Sequence, residues 1–200
     1  MYRMFYNHDV SGDTLFIVLS TNKTFDHGEC SDDVYALYSG DNELIGININ
    51  NLSRVLKIKA HGMIVTPGKE LVDVVNHILK RAKLPALPYC TDSGYKVGIV
   101  SSIEYAHSTE KYKKITVDVG GEEMVAITNY DNLKIGDCVV LALDGTIQYN
   151  GATFRTYVED GVRVDCLICN AKELRINADL EGAFVVDGYK SGEDFYLAGE

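Results

Sequence analysis

The feature that most constrains the fold is a series of short strand segments that fills the chain from residue 95 onward. Glycine, asparagine and aspartate residues separate these segments, and such residues favour tight turns between strands. Short strands at this spacing with little helix predict a closed or nearly closed β-barrel. The predicted strands are 95–105, 114–119, 123–128, 138–143, 153–158 and 162–169.

A proline-containing segment separates this region from the first part of the chain. Residues 85–94 contain two prolines and end in glycine, which interrupts both helical and strand periodicity. The sequence therefore predicts two domains, over residues 1–90 and 91–200. A chain of 200 residues is long enough for two small domains that each bury a core.

The first domain combines strand and helix patterns, which predicts a small α+β fold. Residues 14–19 form a continuous apolar run that is typical of a buried strand. Residues 34–38 and 44–49 flank a turn-forming cluster and predict a hairpin. The residues of this domain do not indicate a role for it.

A helix is predicted between Thr66 and Pro85. Thr66 can cap its start, Pro67 fits the first helical position, and Pro85 ends it. Its apolar residues follow a three- and four-residue spacing, so one face should pack on a core. These residues are Leu71, Val74, Val75, Ile78 and Ala82.

The net charge of −10 is unevenly distributed. Residues 1–90 contain 9 Lys/Arg and 10 Asp/Glu, which gives a net charge of −1. Residues 91–200 contain 10 Lys/Arg and 19 Asp/Glu, which gives a net charge of −9. An acidic field repels nucleic acid at long range. Any RNA site in the second domain must therefore be a local basic patch.

The composition favours a cytoplasmic protein without catalytic chemistry. No apolar run approaches the roughly 18 residues that a membrane span needs, and the N-terminus lacks a signal-peptide pattern. No phosphate loop, nucleophile elbow or paired-carboxylate signature is present. Cys166 and Cys169 have metal-ligand spacing, but no second pair accompanies them, so two buried thiols are expected. We expect neither a metal nor a cofactor.

Several segments of the second half resemble a known RNA-binding module. They are Tyr95–Val100, His107, Lys111 and Cys169–Leu174. They resemble the tRNA-binding OB-fold module of the bacterial YtpR family. That module is itself similar to modules in the phenylalanyl-tRNA synthetase β-subunit and in the EMAPII-type proteins. The resemblance implies an all-β OB-fold barrel over residues 91–200. It also implies a non-catalytic protein that recognises the shape and backbone of tRNA.

The same resemblance implies which residues would contact RNA. His107 and Lys111 keep the family spacing, and Lys113 and Lys114 extend the only dense basic cluster of the second half. Solvated charge at a strand edge is the alternative interpretation of these lysines. The full implied set is His107, Lys111, Lys113, Lys114, Asn132, Arg163, Asn170 and Lys172.

The chain departs from the family pattern at four positions. Asp160 replaces an arginine, Val164 replaces a serine, and Cys166 and Leu167 replace a Gly-Met pair. A phosphate-binding cation and a hydroxyl donor are thereby lost, which predicts weakened RNA affinity.

Two functions from different classes remain open on the sequence. The first is a tRNA-binding protein, which could form a homodimer; the kept spacing of His107 and Lys111 favours it. The second is a diverged OB module that serves protein interaction or oligomerisation, which the acidic balance favours. Tyrosines could stack on bases under the first reading, or simply pack on the barrel surface. They are Tyr105, Tyr112, Tyr130, Tyr149 and Tyr157.

Overall fold

A computed structural model describes residues 2–106, 111–176 and 180–197 of the chain. The chain divides into two compact units, Met1–Thr91 and Asp92–Glu200. Within the described ranges, no helix has the length and apolar character needed to cross a bilayer.

The first unit is built around one antiparallel sheet. Its strands are β1 (Arg3–Asn7), β2 (Thr14–Val18), β3 (Phe25–Ser31), β4 (Val34–Ser39), β5 (Leu44–Asn50) and β6 (His61–Ile64). They lie in the order β3-β4-β5-β2-β1-β6. A short helix, α1 (His8–Ser11), follows β1, and a 3-10 turn (Leu52–Arg54) follows β5. The predicted buried strand and the predicted hairpin are confirmed as β2 and as β4 with β5.

The helix α2 (Lys69–Arg81) covers the core of this sheet. Leu71, Val75 and Leu79 are buried and belong to one cluster with Met4 and Ile17 of the sheet. Leu79 was not part of the predicted stripe, whereas Leu71 and Val75 were. The helix therefore packs through one apolar face, as its periodicity predicts.

The predicted ends of α2 are wrong by several residues. Gly68 occupies the capping position and no side-chain cap is present there, so Thr66 and Pro67 lie before the helix. At the other end, Lys83 adopts a left-handed conformation with φ 60°, and the Leu84 N–H donates to the Leu79 carbonyl at 2.9 Å. This backbone motif ends the helix before Pro85 can do so.

The second unit contains a sheet whose central strand is long and bent. Its strands are β7 (Tyr95–Tyr105), β8 (Lys113–Val119), β9 (Glu122–Thr128), β10 (Cys138–Leu143), β11 (Tyr157–Glu159), β12 (Val162–Val164), β13 (Cys166–Ile168) and β14 (Val185–Val186). The main sheet has the order β13-β10-β7-β8-β9, and β14 also pairs with β10. Strands β11 and β12 form a separate hairpin.

Two of the predicted strands differ from the structure. Only the end of the segment 153–158 is extended in a strand, as the start of β11, and Thr153 makes an isolated bridge with Ile147. The segment 162–169 is divided at Asp165, between β12 and β13. The Asp165 backbone N–H donates to the Val125 carbonyl at 2.8 Å, and the Asp165 carboxylate accepts from the Val125 N–H at 3.2 Å. Asp165 thus interrupts the strand to contact β9.

Barrel closure stays a prediction. In the described ranges the strand ladders leave the sheet open between β9 and β13, the two edge strands. The two hydrogen bonds between Asp165 and Val125 link these edges at one point.

Gly98 allows the sheet to form around β7. Residues 95–99 of β7 pair with β10, and residues 99–105 pair with β8. A Cβ atom at Gly98 would lie 2.4 Å from Val117 Cγ1 and 2.8 Å from Leu141 Cδ1. Any side chain there would force β8 and β10 away from β7, so the position requires glycine.

The C-terminal segment is fixed to the start of β7 by one carboxylate. Asp194 accepts hydrogen bonds from the Ser93 N–H at 2.9 Å, the Ser93 hydroxyl at 2.7 Å and the Lys96 ammonium at 3.1 Å. The N–H groups of Tyr196 and Leu197 also donate to it. Burial alone raises the pKa of Asp194, but the hydrogen bonds from Ser93 and Lys96 outweigh burial and leave this pKa below its ordinary value.

We expect Gly98→Ala to lower the free energy of unfolding of the second unit by about 1–3 kcal/mol, because the methyl group overpacks the contact with Val117. Gly40→Ala is the control, since a Cβ atom at Gly40 meets nothing within 4 Å. Urea unfolding measures both variants. Equal stability of the two variants would contradict the role assigned to Gly98.

We expect Asp194→Asn to lower the free energy of unfolding at pH 7 by about 1.5–3 kcal/mol, because charged hydrogen bonds are lost. Since the pKa of Asp194 is lowered in the folded state, its contribution is complete above the ordinary value of 3.8. The contribution disappears as pH falls through the lower folded-state pKa. Denaturant unfolding across this range should show the difference between wild type and variant shrinking. The exposed Asp187, changed to Asn, should show little difference at any pH.

Candidate nucleic-acid interface

A cleft of about 100 Å³ opens where four segments of the second unit meet. The end of β7 and the start of β8 form one side, and the hairpin of β11 and β12 forms the other. Ile127 of β9 and Val162 of β12 contribute apolar surface, and both are partly buried. The cleft therefore combines an apolar surface with the polar residues of two turns.

Two exposed tyrosines lie at the cleft. Tyr105 is 70% exposed and Tyr112 is 43% exposed, and both line the cavity. Large aromatic rings of this exposure offer flat faces to a ligand. A third ring, Tyr157, is 44% exposed and packs edge-on against Phe154 with centroids 6.4 Å apart.

The predicted lysines differ in how they are paired. Lys113 donates to Asp131 at 2.6 Å and to the Tyr130 carbonyl at 3.3 Å, and its side chain is only 17% exposed. Lys114 lines the cleft and pairs with Glu104 at 3.4 Å. Lys111 is exposed and lies 5.9 Å from the centre of the Tyr112 ring.

The other predicted cations lie elsewhere or outside the described ranges. Arg163 pairs with Asp165 at 2.7 Å and lines a separate depression that also contains Glu122 and Glu123. Lys172 is exposed on the turn after β13. His107 lies outside the residues that the structure describes. The predicted set is therefore not brought together into one basic patch in the described part of the chain.

Asn132 uses its side-chain amide within the fold. Its Nδ2 donates to the Ala183 carbonyl and its Oδ1 accepts from the Ala183 N–H, both at 2.9 Å. A Cβ atom at Gly182 would lie 2.4 Å from that Oδ1, and Gly182 has φ 85°. The amide thus fixes the segment before β14, which needs a glycine at this point.

Asn170 also has a local structural role, as the cap of a turn. The Asn170 N–H donates to Glu173 Oε2 and the Glu173 N–H donates to Asn170 Oδ1, both at 2.8 Å. These reciprocal bonds form a capping box. Asn170 Nδ2 donates to the Tyr130 hydroxyl at 3.1 Å, which connects the turn to the loop after β9. Burial raises the pKa of Glu173, and the Asn170 N–H only partly opposes this shift.

Of the four departures from the family pattern, only Asp160 lines the cleft. Val164 and Cys166 are each 1% exposed and face the core, so their replacement changes packing. Burial raises the pKa of the Cys166 thiol to about 12 and that of Cys169 well above its ordinary value. Cys166 and Cys169 are both buried and free, which confirms the expectation of two buried thiols.

The sequence did not single out the cleft carboxylates Glu104 and Glu159. They lie far apart along the chain, and only the fold brings them to one cavity. A signal was nevertheless present, since Glu104 precedes Tyr105 at the end of the longest predicted strand. Among the described lining residues, they and Asp160 supply three carboxylates against the single ammonium of Lys114.

Comparison with known proteins covers both units. The chain is 31% identical over 197 residues to the "Putative tRNA-binding protein YtpR" of Bacillus subtilis (strain 168), across 96% of this chain and 98% of that protein. No family model matches the chain. An identity of this level over nearly the full length of both proteins shows common descent of the whole chain. The chain belongs to the YtpR family.

We expect Glu173→Gln to be at least as stable as wild type at pH 7, because glutamine keeps the hydrogen-bond acceptor without a buried charge. The raised pKa means that the folded state binds the Glu173 proton more tightly than the unfolded state does. Wild type should therefore gain stability relative to the variant as pH falls from the folded-state pKa to the ordinary value of 4.5.

Urea unfolding at several pH values measures this difference. The contrasting variant Asn170→Ala removes the cap and should lose about 0.5–2 kcal/mol at every pH. A Glu173→Gln variant as unstable as Asn170→Ala at pH 7 would contradict the assigned balance of burial and hydrogen bonding.

Proposed function

We propose that this chain is a non-catalytic tRNA-binding protein that recognises tRNA through an OB-fold in its second unit. The observation that carries the proposal is the cleft between β8, β9 and the hairpin of β11 and β12, with its two exposed tyrosines. Membership of a family whose Bacillus subtilis member carries the name "Putative tRNA-binding protein YtpR" supports tRNA as the ligand.

The strand order supports an OB barrel. Five strands in the order β13-β10-β7-β8-β9 would close into a five-stranded barrel if the edges β9 and β13 approached each other. The hydrogen bond from Asp165 to Val125 lies between these edges. OB-folds bind nucleic acid on their second and third strands and on the flanking loops. In this unit those parts are β8, β9, the segment between β7 and β8, and the segment between β10 and β13.

Phosphate contacts would come first from Lys111. It is exposed, and it has no carboxylate partner among the described residues. Lys113 and Lys114 can contribute only by exchanging Asp131 and Glu104 for phosphate, which reduces their net gain. Lysine contacts to phosphates recognise the shape and backbone of RNA rather than its sequence. His107, Arg163 and Lys172 remain proposed contacts.

We further propose a cytoplasmic location and a homodimer. None of the five cysteines, all within the described ranges, forms a disulfide, which suits a reducing compartment. A homodimer would present two clefts to one folded RNA, which raises the effective concentration of the second contact.

The charge of the cleft favours a second candidate function. Its described lining residues include three carboxylates and one ammonium, and a basic protein segment would complement this balance. Under this alternative the second unit serves protein interaction or oligomerisation and has little affinity for RNA.

A salt titration of binding to unfractionated tRNA tests the first function. We expect affinity to fall steeply with salt, and Lys111→Ala to reduce the slope of log K against log salt by about 0.7–0.9, one phosphate contact. Lys190→Ala is the matched control: Lys190 is exposed and adjoins Ser191, which binds Gly120 at the opposite end of β8. Its slope should equal that of wild type.

Two outcomes would reject the tRNA-binding function. One is the absence of tRNA binding by the wild-type chain at low salt. The other is equal loss of slope in Lys111→Ala and Lys190→Ala, which would indicate only a general charge effect. Binding of oligolysine without binding of tRNA would support the protein-interaction function instead.

A further inference from the structure

We propose that the cleft is a nucleobase pocket that takes one unpaired guanine, with the Asp160 carboxylate accepting hydrogen bonds from the guanine base edge. The inference rests on the proposed function, because it names the part of the RNA that this surface would recognise. It assigns a role to a carboxylate that a phosphate-binding surface would not be expected to contain.

The charge of the cleft argues against phosphate as its occupant. Glu104, Glu159 and Asp160 line it, and Lys114 is the single cation among its described lining residues. A phosphate placed there would meet a net negative environment and be repelled. The groups of an RNA that a carboxylate can bind are hydrogen-bond donors: the ribose 2′-hydroxyls, and the N–H groups that unpaired bases carry on their Watson–Crick edges.

The other lining residues suit a planar base. Ile127 and Val162 supply apolar contact, and Tyr105 and Tyr112 lie at the same cavity with exposed rings. Unstacked bases are held in proteins by stacking on aromatic side chains and by hydrogen bonds at their edges. A cavity of about 100 Å³ suits one base and excludes a double helix.

Asp160 is the carboxylate available to a ligand. Glu104 is paired with Lys114 at 3.4 Å, and burial together with the nearby charge of Glu159 raises the pKa of Tyr157. Asp160 has neither a hydrogen-bond nor an ion-pair partner for its side chain within the described ranges. It occupies the turn between β11 and β12 with φ 49°, which holds it at the tip of the hairpin.

Guanine fits a single carboxylate better than the other bases do. Its N1–H and its N2 amino group are adjacent parallel donors, and a carboxylate has two oxygens that can accept both. Cytosine and adenine offer one amino group at the corresponding edge. Uracil offers one N–H between two carbonyl oxygens, which a carboxylate repels.

The positive and negative groups of the surface then have separate roles. Lys111 lies outside the lining of the cleft and can contact a phosphate, whereas the acidic cleft contacts the base. Asp160 stands where the family that the sequence resembles has an arginine, so a group able to bind a phosphate is replaced by one able to accept from a base edge.

The test is an NMR titration of the full chain with guanosine 5′-monophosphate and inosine 5′-monophosphate. The two probes share the phosphate, the sugar and the stacking surface, and differ only in the N2 amino group. We expect the guanosine probe to shift the amide signals of Tyr105, Tyr112 and Ile127, and to bind at least about fivefold more tightly than the inosine probe. Equal affinity for the two probes, or shifts elsewhere only, would overturn the assignment.

A matched pair of variants tests Asp160 itself. Asp160→Asn keeps a residue that tolerates the left-handed turn, and it should weaken binding of guanosine 5′-monophosphate about fivefold or more. Glu122→Gln removes the same charge at the opposite end of β9 from Ile127 and should leave that affinity unchanged. If Asp160 only repels phosphate, Asp160→Asn will instead bind the nucleotide and tRNA more tightly, and the inference fails.

The binding of tRNA by the wild-type chain is measured separately. Salt-dependent tRNA binding together with equal affinity for the two nucleotides would overturn the guanine pocket and leave the proposed function intact. Absence of tRNA binding would overturn the proposed function, whatever the ratio of the two nucleotide affinities.

Discussion

The second unit depends on the close approach of three strands at Gly98. β7 pairs with β10 through its first half and with β8 through its second half, and a bulge between Val100 and Ser102 accommodates the change. Because Val117 and Leu141 fill the space where a side chain would lie, β8 and β10 stay close to β7. The position of β8 in turn sets the position of Tyr112 and Lys114. The geometry of the cleft therefore rests on a contact in the core rather than on the residues of the cleft itself.

Electrostatics then decides what the surface can bind. A count of lysines would suggest a basic patch at the start of β8. However, Lys113 and Lys114 form ion pairs with Asp131 and Glu104, which neutralise much of their positive charge. Ion pairs of this exposure contribute little to stability, so their main effect is to lower the local positive potential. Of the described lysines at the start of β8, Lys111 alone stays exposed without a carboxylate partner, beside a cleft whose described lining is acidic. A ligand for this surface must present a negative group and a donor group at different places, which an unpaired nucleotide does.

The sequence predicted elements well wherever a local pattern specifies them. The limits of β7 and β10 match the predicted segments, and the apolar stripe of α2 faces the core. The two misses have different causes. Lys83 ends α2 through its left-handed backbone conformation, which is a local motif, whereas Asp165 divides a strand to reach the distant Val125. For the candidate site, the sequence predicted which residues could bind RNA, but not the hydrogen-bond and ion-pair partners that occupy them in the fold. Nothing in the local sequence indicates that the amide of Asn132 is occupied by Ala183, which is distant along the chain.

The capping box of Asn170 and Glu173 has a consequence for how relatives of this chain are compared. These residues belong to the segment Cys169–Leu174, one of the segments that resemble the family, yet their polar atoms bond to each other and to Tyr130. Selection for a stable turn is enough to keep them. A relative could exchange every charge around its cleft and still retain this segment. The segment therefore marks ancestry, whereas divergence in ligand preference must be sought at the hairpin tip that carries Asp160.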